Sequence, residues 1–274
     1  MMNKPEIITS RTNKKIKDAS SLLSSRERKK TGLFICEGAR LCADAAQNGV
    51  EIEQLFITEK AADTYREAFC SLGKAAKQTF FIDESAAEKL SDTASSQNIF
   101  CVCRKKNDPR SFESKGFYLL TDNVQSPDNL GALARSSEAF GAAGLIVCSG
   151  CDIYSPKALR ASMGALLRFP VFVRESCAEA ARELKKLGFS VFGSVPDKNA
   201  LDVRFAEKGE KTALIIGNEG AGISEETKKE CAGFVTIPMA GRAESLNAAA
   251  AGAVLLWEFT GRNDMYGGFY GKHS

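Results

Sequence analysis

The sequence predicts two α/β domains, of which the second is larger and contains a parallel sheet. The chain has 274 residues, enough for about two domains. In its second half, short apolar runs alternate with helix-length segments, a pattern typical of parallel strands buried on both faces. Residues 106–114 are polar and contain a proline, as expected of a linker. We therefore expect one domain over residues 1–105 and another over residues 115–274.

The first domain is expected to be a small layered α/β structure. Its helices are predicted over Lys14–Lys30, Ala39–Asn48, Ala61–Leu72 and Glu84–Leu90. Its strands are predicted over Leu33–Cys36, Gln54–Thr58, Thr79–Ile82 and Ile99–Val102. Gly32 follows the first helix and Gly49 the second, and glycine is common just beyond a helix end.

The second domain alternates more regularly. Its strands are predicted over Phe117–Leu120, Leu145–Cys148, Val171–Val173, Ser190–Phe192, Ala213–Ile216 and Phe234–Ile237. Its helices are predicted over Asn129–Phe140, Pro156–Leu167, Ala178–Leu187, Glu225–Cys231 and Ser245–Phe259. Ser155 followed by Pro156 is typical of a helix start, because serine caps the helix and proline suits its first position.

Composition excludes several classes of protein. Apolar residues make up 44% of the chain and charged residues 26%, which excludes disordered and fibrous chains. No stretch approaches the ~20 apolar residues of a membrane-spanning helix. Met1–Lys17 is polar and lacks the apolar core of a signal peptide, so we expect a cytoplasmic protein with nine reduced cysteines. The single histidine, His273, argues against a metal site and against histidine-dependent triads.

Positive charge is concentrated in the first domain. Residues 1–30 contain nine Lys or Arg and three Asp or Glu, and Arg104, Lys105, Lys106 and Arg110 form a second basic cluster. Such a surface fits a polyanionic partner, and it equally fits an ordinary solvated helix face.

Three polar segments follow predicted strands of the second domain, at the sheet edge where open α/β folds bind ligands. Residues 121–131 lead into a helix that Asn129 can cap, and Arg135 is expected to be partly buried on it because its neighbours are small or apolar. Residues 216–222 are rich in glycine but match neither the dinucleotide fingerprint nor the Walker A loop. Glu219 stands among these glycines. Residues 237–247 end with Ser245 and Asn247, which can cap the last helix.

These segments resemble the three signature motifs of the SpoU/TrmH family of RNA ribose 2′-O-methyltransferases. The first motif matches at Asn129, Gly131 and Arg135, and the second at Gly217, Glu219, Gly220 and Gly222. The third matches at Ile237, Pro238, Met239, Ser245, Leu246 and Asn247. Ser10, Asn13, Lys17 and the run from Phe34 to Gly38 also resemble the family's substrate-binding domain, so the resemblance covers nearly the whole chain. Ser126 departs from it, because an acidic residue is usual there.

The resemblance implies a trefoil-knotted methyltransferase domain that binds S-adenosylmethionine (AdoMet) and acts as a homodimer on RNA; from the residue counts above we expect no metal. It implies cofactor contacts from Ser194, Gly217, Asn218, Gly220, Ile237, Met239 and Leu246. It implies catalytic roles for Arg135, Asn129, Glu219, Ser245 and Asn247. Because a guanidinium is normally protonated, we expect Arg135 to orient the ribose hydroxyl together with a phosphate. Ribosomal RNA is the expected substrate; transfer RNA and a non-catalytic RNA-binding role are the alternatives.

Overall fold

The computed structural model describes residues 6–106, 111–207 and 209–260. Residues 107–110 of the predicted linker, including Arg110, and His273 lie outside the described residues. Two compact units are present, one formed by residues 6–106 with 152–168 and the other by residues 111–151 with 169–260. The predicted division differs at one place, because residues 152–168 lie within the expected second domain yet pack with the first unit.

Twelve strands and twelve α-helices occur in the described ranges. The strands are β1 (Glu6–Ile8), β2 (Leu33–Glu37), β3 (Ile52–Ile57), β4 (Ala76–Ile82), β5 (Ile99–Arg104), β6 (Gly116–Asp122), β7 (Gly144–Cys148), β8 (Val171–Arg174), β9 (Ser190–Ser194), β10 (Leu201–Asp202), β11 (Lys211–Ile216) and β12 (Gly233–Thr236). The helices are α1 (Lys14–Ser21), α2 (Ser25–Thr31), α3 (Ala39–Gln47), α4 (Glu59–Thr64), α5 (Arg66–Ala75), α6 (Glu84–Leu90), α7 (Pro127–Ala139), α8 (Pro156–Ala161), α9 (Ala165–Arg168), α10 (Cys177–Lys186), α11 (Glu225–Lys228) and α12 (Ala248–Thr260). A 3-10 turn covers Val203–Phe205.

Three predicted helices are each interrupted. The helix expected over Lys14–Lys30 is two helices, α1 and α2, because Ser24 adopts an extended backbone and starts α2. The helix expected over Ala61–Leu72 is divided into α4 and α5 at Tyr65. The helix expected over Pro156–Leu167 is interrupted by Met163 and Gly164, both with positive φ. The sequence does not predict the edge strands β1 and β10, because strands of three and two residues are too short to show an alternation of apolar and polar residues.

The first unit contains a mixed five-stranded sheet in the order β1-β4-β3-β5-β2. The segment 152–168 is held here by a buried ion pair, in which Arg28 Nε donates to Asp152 Oδ2 at 2.8 Å. The same guanidinium also donates to the carbonyls of Leu22 and Leu23. Leu159 on α8 is fully buried. These contacts make α8 and α9 part of the first unit's core.

The basic clusters predicted in the first domain are only partly available to a partner. Arg28 is buried, and Arg104 pairs with Glu51 and Glu53. Lys106 Nζ donates to two backbone carbonyls. The exposed cations near the chain's beginning include Arg11, Lys14 and Lys30, which form exposed ion pairs with Glu88, Asp18 and Glu27. Lys17, Arg26 and Lys29 are also exposed and form no ion pair with a described residue, so they are the cations of α1 and α2 most available to a polyanion.

The second unit contains the predicted parallel sheet. Its seven strands lie in the order β10-β12-β9-β11-β6-β7-β8, and every neighbouring pair is parallel. The central strands are buried, as their continuous apolar runs predict. The carboxyl ends of β6, β9, β11 and β12 consequently meet at one edge, where the three polar segments begin. None of the helices in the described part of the chain is long and apolar enough to cross a membrane.

Candidate active site

The loop after β11 is closed by its own backbone and by Asn218. Asn218 and Gly222 exchange two backbone hydrogen bonds of 2.9 Å. Asn218 Oδ1 accepts from the backbone N–H groups of Gly220 and Ala221, and its Nδ2 donates to the carbonyl of Asn123. A Cβ atom on Gly217 would lie 2.3 Å from the carbonyl carbon of Gly222. The loop can therefore close only with glycine at position 217. The absence of a side chain there also leaves space for a ligand.

Glu219 at the tip of this loop begins a chain of hydrogen bonds through all three polar segments. Asn129 Nδ2 donates to Glu219 Oε1 at 2.8 Å, and Asn247 Nδ2 donates to Asn129 Oδ1 at 2.8 Å. Asn247 Oδ1 in turn accepts from the backbone N–H groups of Ala249 and Ala250 in α12. We call Glu219, Asn129 and Asn247 the carboxylate–amide chain.

The chemistry of these groups fixes the direction of the carboxylate–amide chain. An ionised carboxylate can only accept, so Asn129 must turn its amide nitrogen towards Glu219 and its oxygen towards Asn247. Asn247 must then use its nitrogen towards Asn129, which leaves its oxygen for the first turn of α12. An aspartate at position 129 or 247 would place two acceptors face to face, so asparagine is specifically required.

Glu219 is held in its charged form. Burial alone would raise its pKa, but hydrogen bonds from Asn129 Nδ2 and from the backbone N–H groups of Gln125 and Ser126 outweigh burial and lower the pKa. The side chain is ionised at neutral pH. Glu219 therefore works better as an acceptor that organises the surrounding loops than as a general base.

Helix α7 starts two residues earlier than predicted. Ser126 is its N-cap, with Oγ accepting from the Asn129 N–H, and Pro127 occupies the first position. Asn129 therefore does not cap the helix, which frees its side chain for the carboxylate–amide chain. Serine at position 126 is explained by this capping role, for which serine and aspartate are about equally suited.

Asn247 caps α12, as predicted, whereas Ser245 is exposed in the preceding loop. Helices α7 and α12 pack against each other, and Gly252 allows their close approach. A Cβ atom at this position would lie 2.1 Å from Leu133 Cδ2. This contact sets the distance between the helix that carries Asn129 and the helix that Asn247 starts.

Arg135 is exposed, so the expectation of partial burial is wrong. Its apolar neighbours Leu133 and Ala134 face the core, and the helical turn directs Arg135 to the outer surface of α7. Arg135 makes no hydrogen bond or ion pair with any residue in the described ranges. The guanidinium is free to contact a ligand or another chain.

A cavity of about 980 Å³ lies at the carboxyl edge of the sheet. The seven residues proposed to contact a cofactor all line it: Ser194, Gly217, Asn218, Gly220, Ile237, Met239 and Leu246. Glu219, Ser245 and Asn247 line it as well, whereas Asn129 and Arg135 do not. The volume is at the upper end of the range for small-molecule sites.

Several lining residues escaped sequence reasoning, among them Asp197, Asn199, Lys228, Thr236 and Glu244. The first two follow β9, so their position after a buried strand was an available signal. Lys228 lies on α11, and only the tertiary fold places it at the cavity. Among the residues the structure describes, no cluster of three or more His, Cys, Asp or Glu could hold a metal ion.

The residues of the first unit that resemble a substrate-binding domain have local structural roles. Asn13 caps α1 through a hydrogen bond from the Lys15 N–H. Glu37 is buried and accepts from the hydroxyl groups of Ser91 and Thr93. Gly38 has a φ of +99°, which explains a glycine there.

Comparison with known proteins identifies the family. The SpoU rRNA Methylase family model matches residues 116–257, and the MRM3-like substrate binding domain model matches residues 13–101. The chain is 31% identical over 255 residues to the 23S rRNA (guanosine(2553)-2′-O)-methyltransferase RlmP of Bacillus subtilis, covering 93% of this chain and 99% of that protein.

Two solved structures are similar over nearly their whole length. The AdoMet-bound rRNA methyltransferase from Sinorhizobium meliloti superposes with a TM-score of 0.83 at 26% identity, covering 93% of this chain and 97% of that one. The SpoU methyltransferase AviRb from Streptomyces viridochromogenes, in complex with AdoMet, superposes with a TM-score of 0.82 at 27% identity, covering 90% and 97%. Because hydrogen bonds join the three motif segments and the family model matches across all of them, the chain belongs to the SpoU rRNA methylase family.

Proposed function

We propose that this protein transfers the methyl group of AdoMet to a ribose 2′-hydroxyl in ribosomal RNA. The carboxylate–amide chain carries the proposal, because it joins the three family motifs beside a cavity large enough for the cofactor. RNA 2′-O-methylation is the activity named for the relative of Bacillus subtilis. The basic surface around α1 and α2 suits an RNA substrate.

The cavity suits AdoMet in size and in the groups that line it. A Cβ atom on Gly220 would meet only Asn218 Oδ1, at 3.7 Å, so the glycine leaves open space beside the loop. The backbone groups of Ile237 and Leu246 form no hydrogen bond with another described residue. They can therefore form hydrogen bonds with the edge of the adenine ring of AdoMet. Pro238 contributes no N–H to compete with them. Ser194, Asn218 and Met239 line the remaining walls.

Different residues of the protein position the cofactor and the RNA. Bound AdoMet supplies a methyl carbon on a positively charged sulfur, which a ribose oxygen can attack. Glu219, Ser245 and Asn247 lie on the cavity wall, where they would contact a bound ligand, and Asn129 holds Glu219 and Asn247 in place. Arg135 lies outside the cavity lining, on the exposed surface of α7, and from there it would bind an RNA phosphate and direct the 2′-hydroxyl, since its planar fork can hold both oxygens together.

Replacing Arg135 tests this mechanism. Because Arg135 acts on the transition state, Arg135→Ala should reduce methyl transfer by ~10²–10⁴-fold, the usual cost of a lost acid–base group, and leave AdoMet affinity within a few fold. Arg135→Lys should not restore the rate, since lysine lacks the fork. The measurement is single-turnover transfer of labelled methyl to RNA, with a calorimetric titration of AdoMet for each variant.

Arg66→Ala is a matched control, because Arg66 is an exposed arginine on helix α5 that forms no ion pair with a described residue and lies outside the cavity lining. Normal transfer by Arg135→Ala would remove this residue from the mechanism. Loss of AdoMet binding together with transfer would make its role structural.

The homodimer implied by the family resemblance has support from α12. Its exposed face carries Val254 and Trp257, which are 41% and 36% exposed, and Trp257 contacts Phe140 edge to face. An apolar helix face of this kind is typical of a buried interface. We expect a dimer in analytical ultracentrifugation, and Val254→Asp with Trp257→Lys should give a monomer. A wild-type monomer at micromolar concentration contradicts the dimer.

Mapping of ribose methylation identifies the substrate. RNA from cells that lack this protein should miss one 2′-O-methyl group in ribosomal RNA, and a missing group in transfer RNA would support the alternative. No missing group in either, with RNA binding intact, would favour a non-catalytic role. We propose that the reaction takes place in the cytoplasm, a reducing compartment in which the nine cysteines would stay as thiols.

A further inference from the structure

The cavity at the carboxyl edge of the sheet has an uneven distribution of charge. Three carboxylates line it, those of Asp197, Glu219 and Glu244. Among its lining residues in the described part of the chain, Lys228 is the one cation. AdoMet, the cofactor bound in the related methyltransferase AviRb, has two positive groups, its sulfonium and its ammonium, and one negative group, the carboxylate of its methionine part. By charge, Lys228 is the lining side chain that suits this carboxylate.

The short helix α11, which contains Lys228, is anchored to the end of β6. Asp122 Oδ2 accepts hydrogen bonds from the backbone N–H and from the hydroxyl group of Ser224, both at 2.9 Å. Ser224 is the N-cap of α11, since its Oγ accepts from the Thr227 N–H, and Thr227 is buried. The backbone beside Lys228 is therefore fixed, and its side chain extends from a defined position on the cavity wall.

The ammonium group of Lys228 has donors left for a ligand. Its Nζ donates to Glu225 Oε1 at 2.6 Å, and it has no other partner among the described residues. The Glu225 side chain is 83% exposed, so water screens this ion pair and the pair contributes little to stability. A lysine has three N–H donors. Lys228 can therefore bind a second carboxylate with or without Glu225.

The other donors near the cavity are less suited to a carboxylate. The backbone N–H groups of residues 220–222 in the glycine-rich loop all donate to Asn218. Lys198 and Arg242 stand on loops that contribute lining residues, but both are exposed and neither belongs to the lining. Charge and position together thus favour Lys228.

We propose that Lys228 binds the carboxylate of AdoMet, a role that rests on the cofactor site of the proposed function. A hydrogen bond between an ammonium and a carboxylate is stronger than one between neutral groups. The backbone of Ile237 and Leu246 is proposed to bind the adenine ring, so the cofactor would be held at both of its ends. Lys228 is therefore a specificity residue that selects a cofactor with a complete amino-acid part.

Decarboxylated AdoMet isolates this contact, because it keeps the adenosine, the sulfonium and the ammonium and lacks only the carboxylate. In calorimetric titrations of the full chain, Lys228→Met should raise the Kd for AdoMet about 5- to 20-fold, the effect of losing a charge-assisted hydrogen bond from a partly exposed lysine. The Kd for decarboxylated AdoMet should change less than about twofold, since the contact is already missing. The wild-type preference for AdoMet over decarboxylated AdoMet should thus disappear in the variant.

Two controls separate the ligand contact from other effects of removing the lysine. Lys229→Met removes the neighbouring lysine, which is exposed and lies outside the cavity lining, and should leave both Kd values unchanged. Glu225→Gln removes the ion pair within α11 and keeps Lys228. The Kd for AdoMet should then stay within about twofold, because an exposed pair of this kind contributes little.

Three results overturn the proposal: an unchanged Kd for AdoMet in Lys228→Met, equal weakening of AdoMet and decarboxylated AdoMet, or normal AdoMet affinity with weakened RNA binding. The second would show a general change of the cavity, and the third would assign the lysine to the RNA. The titrations need no methyl transfer. AdoMet bound through Lys228 without any transfer to RNA would therefore refute the activity and leave this contact intact.

Discussion

Glu219 shows how one charged residue can organise three loops. Its carboxylate accepts hydrogen bonds from Asn129 and from two backbone N–H groups at the start of α7. The sequence indicates that Glu219 has a specific role, because a simple turn does not need a glutamate among glycines. The sequence does not indicate which residues bind its carboxylate, since 90 residues separate Glu219 from Asn129.

The lowered pKa of Glu219 predicts a pH-dependent contribution to stability. Because the folded pKa lies below the unfolded value of ~4.3, the stabilisation is fully present above that value and is lost as the pH falls through the folded pKa. Glu219→Gln should therefore lower Tm at pH 7 by roughly 2–4 °C, a modest effect because the group is partly solvated. The difference from wild type should shrink below pH ~4. A Tm difference that is constant from pH 7 to pH 3 contradicts the charged role.

Two glycines of the same loop should respond differently to alanine. At Gly217 the added Cβ meets backbone atoms of Gly222 and Ile223 at 2.3 and 2.4 Å, which cannot move aside, so Gly217→Ala should lower stability by more than ~2 kcal/mol. A Cβ atom added at Gly220 meets only Asn218 Oδ1, at 3.7 Å, so Gly220→Ala should change the stability by less than ~0.5 kcal/mol. Gly220→Ala should nevertheless weaken AdoMet binding, because the methyl group occupies cavity space. Thermal melting and calorimetry measure the two effects; equal stability of both variants contradicts this account.

At the scale of elements, the crossing of α7 and α12 determines how the carboxylate–amide chain is assembled. The crossing depends on Gly252 facing Leu133. Alanine is the better helix former by about 1 kcal/mol, yet Gly252→Ala should destabilise the protein by ~1–3 kcal/mol, because the fully buried Leu133 side chain must then leave its rotamer in a close-packed core.

A double-mutant cycle tests the contact between these helices. Leu133→Ala alone should cost ~2–5 kcal/mol. Combined with Gly252→Ala, it should cost less than the sum by at least ~0.5 kcal/mol, since the smaller side chain removes the clash. Leu184→Ala on α10 is the control and should add to Gly252→Ala without coupling. Additivity in both cycles, measured by denaturant unfolding, would show that the helices do not meet at this point.

The elements predicted best are those with strong local signals. Apolar runs predicted the six longer strands of the parallel sheet, and Glu84–Leu90 has the predicted bounds. Ser24 with Glu27 three residues later is a helix-start signal that would have divided the first helix. Met163 and Gly164 needed a backbone conformation that periodicity does not report. The exposure of Arg135 depends on which side of α7 meets the core, and neighbouring residue types do not decide that.

In the whole molecule, the order of segments along the sequence does not match their division between the two units. An amphipathic segment has an apolar face, but the sequence does not say which core receives that face. Residues 152–168 lie between two strands of the second unit and pack with the first. The trefoil knot and the dimer stay predictions, because sequence periodicity contains information on neither. The three motifs, by contrast, predicted a common site because they follow neighbouring parallel strands.

Removal of residues 1–106 tests this grouping. All residues that line the cavity belong to the second unit, so the fragment should bind AdoMet with a Kd within a few fold of the full chain. The same fragment loses the partners of α8 and α9, whose Leu159, Leu166 and Leu167 are buried in the full chain. It should therefore bind an apolar fluorescent dye strongly and self-associate in ultracentrifugation, and its RNA affinity should fall with the basic surface.

Two variants show whether the fragment binds dye because α8 and α9 have lost their packing partners or because the fragment has unfolded. In the fragment, Leu159→Gln with Leu166→Gln should reduce dye binding and self-association and leave AdoMet affinity unchanged, because both leucines are then solvent-exposed. In the full chain, Leu159→Ala should instead cost ~2–5 kcal/mol, because there Leu159 is fully buried in the first unit. A fragment that stays monomeric without dye binding would show that α8 and α9 find an apolar partner in the second unit once the first is removed.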